Sequence, residues 1–89
     1  MRSTTMLALE CNENNERLVV LMVSGDPVVH YEMPFPLSSR DCDFARRRCQ
    51  NSEWYVSSSF DFPEEYGFTE DEAKAVLTGI FGTHEKGLA

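Results

Sequence analysis

Arg17-Leu18-Val19-Val20-Leu21-Met22-Val23 is the stretch on which the fold turns. Its unbroken apolar run suits a strand covered on both sides or a short buried helix, and its valine content and length favour the strand. Upstream, Met6 to Cys11 is a second short run, and Asn12-Glu13-Asn14-Asn15-Glu16 between the two supplies turn-forming side chains, so the pair reads as a hairpin. Downstream, Ser24-Gly25-Asp26-Pro27 breaks the chain before a third strand, Val28 to Met33, which Pro34 and Pro36 end because they lack ladder donors. Leu37-Ser38-Ser39 leads into Cys42 to Cys49, read as a further strand. Gln50-Asn51-Ser52-Glu53 then turns the chain into Trp54 to Phe62, stopped by Pro63. The clearest element comes last. Thr69 with Glu72 forms a capping box, Glu70 and Asp71 suit the positive end of a helix dipole, and Ala73, Val76, Leu77, Ile80 and Phe81 make one apolar stripe before Gly82. The expected class is α+β: an antiparallel sheet of about four strands within residues 6–62, packed against a C-terminal helix over 70–81.

Eighty-nine residues with 42% hydrophobic content suffice for one core and are too few for two domains, so residues 1–89 read as a single domain. An enclosed chamber for a large ligand would leave little core, and a groove is expected instead. The net charge of −7 argues against general attraction to nucleic acid or anionic membrane. The charge is uneven: residues 1–33 carry −3 and 53–89 carry −6, while 34–52 carry +2 through Arg40, Arg46, Arg47 and Arg48. No stretch approaches the roughly 20 apolar residues that span a bilayer, so no integral membrane segment is expected. Cys11, Cys42 and Cys49 are an odd set with no basic-then-apolar leader before them, which points to reduced thiols in a cytoplasmic setting.

Chemistry-bearing patterns are sparse. The cysteines form no Cys-x-x-Cys pair and His30 and His84 fall in different elements, so neither a metal site nor another cofactor is expected. Asp61, Glu64 and Glu65 cluster at a proline-marked strand end, where a solvated loop explains them. Cys49 beside the arginines has cationic surroundings but no identifiable base. An enzyme is therefore not expected. Arg46-Arg47-Arg48 would alternate faces in a strand, which divides the basic patch and speaks against nucleic acid. The same alternation groups Cys42, Phe44, Arg46 and Arg48 on one face. If that face is covered, Arg46 must be paired or meet a polar ligand; if it faces water, its stem covers the Phe44 ring.

Tyr31-Glu32-Met33-Pro34-Phe35-Pro36-Leu37-Ser38-Ser39-Arg40-Asp41, followed by Phe44-Ala45-Arg46-Arg47 and by Trp54 to Pro63, resembles the central signature of START domains, the steroidogenic acute regulatory protein-related lipid-transfer family. The resemblance covers about residues 28–63. It implies a partial helix-grip, a curved antiparallel sheet around a C-terminal helix with a lipid or sterol between them. It also implies a ligand-facing set of Arg46, Phe44, Cys42, Glu32 and Tyr31, with Glu32 as first choice to neutralise Arg46. Two functions from different classes follow. One is a lipid-binding or lipid-responsive module of START type. The other is a protein–protein interaction domain that docks a partner on an exposed sheet face and the acidic helix without binding a ligand.

Overall fold

The structure, a computed structural model, describes residues 3–82. His84 lies outside the described residues. Strands β1 (Thr4–Cys11) and β2 (Arg17–Val23) form the expected hairpin. Asn12 shapes its turn: the side-chain oxygen accepts from the backbone N–H groups of Asn14 and Glu16, both at 2.9 Å. Asn15 takes the left-handed conformation, φ 61°, which asparagine tolerates better than most residues. Strand β3 (Val29–Pro34) pairs antiparallel with β2.

The segment expected as the next strand is a helix. Ser39–Gln50 forms α1, whose N-cap Ser38 accepts from the Asp41 N–H at 3.1 Å. Asp41 in its first turn and Arg47 and Arg48 in its last match the dipole. Ala45 and Cys49, four apart, are buried, whereas Arg47, which a strand would place on their face, is exposed. Helical spacing thus replaces the alternation read from Cys42 to Cys49.

Because α1 intervenes, strand β4 (Glu53–Val56) returns parallel to β1, giving the order β3-β2-β1-β4. The sheet is therefore mixed and mostly antiparallel. Trp54 to Phe62 is strand only to Val56. Ser57 caps a 3₁₀ turn, Ser58–Phe60, and the buried Ser59 hydroxyl accepts from the Leu9 N–H at 2.8 Å, standing in for a ladder carbonyl. A second such turn, Pro63–Tyr66, ends at Gly67, whose φ of 83° favours glycine.

Helix α2 (Glu70–Phe81) has the predicted limits and the complete Thr69–Glu72 capping box. Glu72 also accepts from the Arg17 guanidinium at 2.7 Å, tying the start of α2 to the start of β2. Arg17 lies 4.9 Å from the Phe35 ring centre and 5.3 Å from that of Phe68.

Register divides the sheet into two faces. Leu7, Leu9, Val19, Leu21 and Met33 share one, and they cluster with Ala45 and Cys49 of α1 and Ala73, Val76 and Ile80 of α2. Leu77 and Phe81 pack partly buried against the same cluster, so the whole predicted stripe of α2 meets the core. Among the described residues no helix is long and apolar enough to cross a membrane.

Candidate functional site

Helical geometry splits the predicted ligand-facing set. Cys42 and Arg46 are one turn apart and face α2, while Phe44 and Arg48 face β3. The Phe44 and Tyr31 rings meet edge to face, with centroids 5.0 Å apart, and the Arg48 guanidinium sits 5.4 Å from each ring centre. Its Nη2 donates to the Tyr31 hydroxyl at 3.3 Å, while its buried Nε has no partner among the described residues. Tyr31 and Phe44 are thus brought together.

Arg46 has another task. Its Nε donates to the Ile80 carbonyl at 2.7 Å and its Nη2 to the Gly79 carbonyl at 3.3 Å, while Nη1 pairs with Asp43 at 2.7 Å. A cation on the last carbonyls of α2 satisfies groups that the helix leaves open and complements its dipole. Glu32 is not its partner: Glu32 is exposed and shares a sheet face with Val20, the one turned away from both helices. A strand over 42–49 would have allowed that pairing across one face, and the helix removes it.

Cys42 closes the contact between the helices. A Cβ added at Gly79 would stand 3.3 Å from its sulfur, so the bare glycine lets α2 approach α1. Beside them lies an open recess of about 160 Å³ lined by Phe35, Pro36, Leu37, Cys42, Val76 and Gly79. Burial raises the Cys42 thiol above its ordinary pKa and pushes that of Cys49 up to about 11. Both stay protonated near neutrality, which suits packing better than nucleophilic attack. Glu72 moves the other way, lowered by the Thr69 N–H and then by Arg17.

The second sheet face corresponds to the exposed docking face expected above, for which no residues were named. Met6, Ala8 and Glu10 of β1, Leu18, Val20 and Met22 of β2, His30 and Glu32 of β3, and Glu53 and Tyr55 of β4 share it by register. The helices' buried side chains all join the cluster on the opposite face. At its centre Ala8 and Val20 are only 3% and 2% exposed, while Tyr55 and nearby Val28 at its rim are each 52% exposed. Thr4, Met6, Met22, Ser24, Val28 and Tyr55 line a shallow groove of about 230 Å³ there. Its strand residues include three exposed glutamates, Glu10, Glu32 and Glu53, and no lysine or arginine. The signal lay in the run Leu18 to Val23, apolar at positions of both parities.

The architecture is that of a two-layer α+β domain with helices on one side of the sheet. No family model, curated protein or solved structure matches the chain.

Proposed function

We propose that the chain is a protein–protein interaction domain that docks a partner on the uncovered sheet face. One observation carries the reading: β2 is apolar toward both faces, yet the chain's own helices cover one of them. Apolar surface grouped on one sheet face, with methionines able to repack around a groove, suits recognition of another protein. The glutamates at its margin ask for positive charge around an apolar centre, so the partner is an amphipathic helix flanked by lysine or arginine. The free thiols fit a cytoplasmic setting.

The test titrates the isotope-labelled chain with amphipathic helical peptides carrying basic or acidic flanks and follows backbone resonances. Shifts centred on Met6, Leu18, Met22 and Tyr55, given by the basic peptides and lost in Met22→Glu, are the expected result. Equal response to both flanks, or shifts confined to α1 and α2, would overturn it.

The recess beside Cys42 favours a second reading, lipid response of START type, because it is an apolar opening between the helices at one of the residues that the resemblance marks. Saturable uptake of a fluorescent sterol or phospholipid, weakened more by Arg46→Leu than by Arg47→Leu in folded protein, supports it. No saturable uptake by the unmodified chain removes it.

A further inference from the structure

Strand β3 is an edge strand, and its alternation decides which backbone groups are free. The Phe35 N–H donates to the Arg17 carbonyl at 3.1 Å, and the register continues that pairing through Met33–Val19, Tyr31–Leu21 and Val29–Val23. Residues 29, 31 and 33 therefore turn their backbone groups toward β2. His30 and Glu32 turn theirs outward. Both are exposed, as are Val28 and Val29 beside them. An uncovered edge of this kind is a template for another strand.

We propose that two copies of this chain pair antiparallel, β3 against β3, about a two-fold axis at Tyr31. In that register the outward N–H and C=O groups of His30 meet those of Glu32 in the other copy, and the reverse, so four backbone hydrogen bonds form around the axis. The side chains agree with the backbone. Each imidazole, a donor, lies opposite a carboxylate, an acceptor, on the open face of the sheet. A two-fold axis at His30 would instead set imidazole against imidazole, and one at Glu32 carboxylate against carboxylate. Between the two cross-strand pairs, the Tyr31 residues take the closer, non-hydrogen-bonded position on the helix-covered face, where aromatic pairs contribute most. Pro34, without an outward donor, falls at the end of the paired stretch. The occupant is a second copy because the edge is self-complementary in both backbone and side chains.

Sedimentation equilibrium of the purified chain and its variants measures the pairing. His30→Glu and Glu32→His each set like groups opposite one another twice in the assembly and should weaken association about tenfold. The double variant H30E/E32H re-creates complementary pairs and should return to within about threefold of the unmodified chain. Glu32→Pro deletes an outward N–H without touching the β2 ladder and should abolish association, with circular dichroism reporting whether the fold survives. Hydrogen exchange on the unmodified chain supplies a readout free of variants: the His30 and Glu32 amides should gain protection as concentration rises, while those of Tyr31 and Met33 are protected throughout. A monomer at millimolar concentration overturns the proposal. So does a dimer that Met22→Glu breaks and Glu32→Pro leaves intact, or one in which the double variant is no better than either single change.

Discussion

The two faces of the sheet are built from alternate residues of the same strands and meet different fates. Leu7, Leu9, Val19 and Leu21 are fully buried beneath α1 and α2, whereas Met6, Leu18 and Met22, their neighbours in sequence, are half-buried on a face that no helix among the described residues covers. Apolar content does not separate them, since both are rich in leucine, valine or methionine. What separates them is the placement of the carboxylates: Glu10, Glu32 and Glu53 all fall on the open face, whereas the covered face carries Arg17 and the buried Thr5. A strand run that is apolar at both parities therefore gives the sheet two apolar faces, and the described helices cover one of them.

The sharpest way to break this contrast is to truncate neighbours. Leu21→Ala empties a site under the helices and should cost about 2–5 kcal/mol in urea unfolding. Met22→Ala, one residue along and on the other face, should cost about 1 kcal/mol or less. Equal losses would mean that the open face is packed as tightly as the covered one. A second comparison sharpens what holds the helical layer together. Arg46→Leu removes the donors on the last carbonyls of α2 and should lower stability by about 1–2 kcal/mol. Arg47→Leu, exposed on the same helix, should stay within about 0.5 kcal/mol of the unmodified chain. If the two match, the Arg46 bonds add nothing to the layer. The smallest effect concerns Glu72 at the start of α2. Because its folded pKa is lowered, its contribution is complete above the ordinary carboxylate range and is lost as pH falls through the folded value. Glu72→Gln should thus melt slightly earlier near neutrality, and the gap between the two melting temperatures should close in acid. A gap that persists in acid would assign the loss to the capping geometry rather than to charge.

Much of the architecture was legible in local chemistry. Asn12 to Glu16 carried the hairpin, and Thr69, Glu72 and Gly82 bounded α2, because turns and caps depend on residues close in sequence. The failure at Cys42 to Cys49 has a definite cause. Its start signal, Ser38 with Asp41 three residues on, was present but sat in a proline-flanked stretch, and the segment's buried residues, Ala45 and Cys49, are small, so their helical spacing was quiet. Family likeness then favoured a strand, and alternation grouped Arg46 with Phe44. The true neighbours of Arg46, the Gly79 and Ile80 carbonyls, are more than thirty residues away and carry no side-chain signature. The parallel return of β4 was hidden for the same reason, since a helix before it reverses the expected direction. The open face was announced by the Leu18 to Val23 run, but a double-sided pattern says that cover is needed and leaves its source unstated.

Ser59 bears on how far such a sheet can grow. By accepting from the Leu9 N–H in place of a strand carbonyl, it ends the sheet on the β4 side after four residues, a length that offers an incoming strand little to hold. The β3 side is longer and open. A body with a grip on one flank and a blunt end on the other can join a mate but cannot be threaded into a fibre, because every union consumes the grip of both members. A small polar side chain far from β3 thereby limits the size of any assembly formed through it.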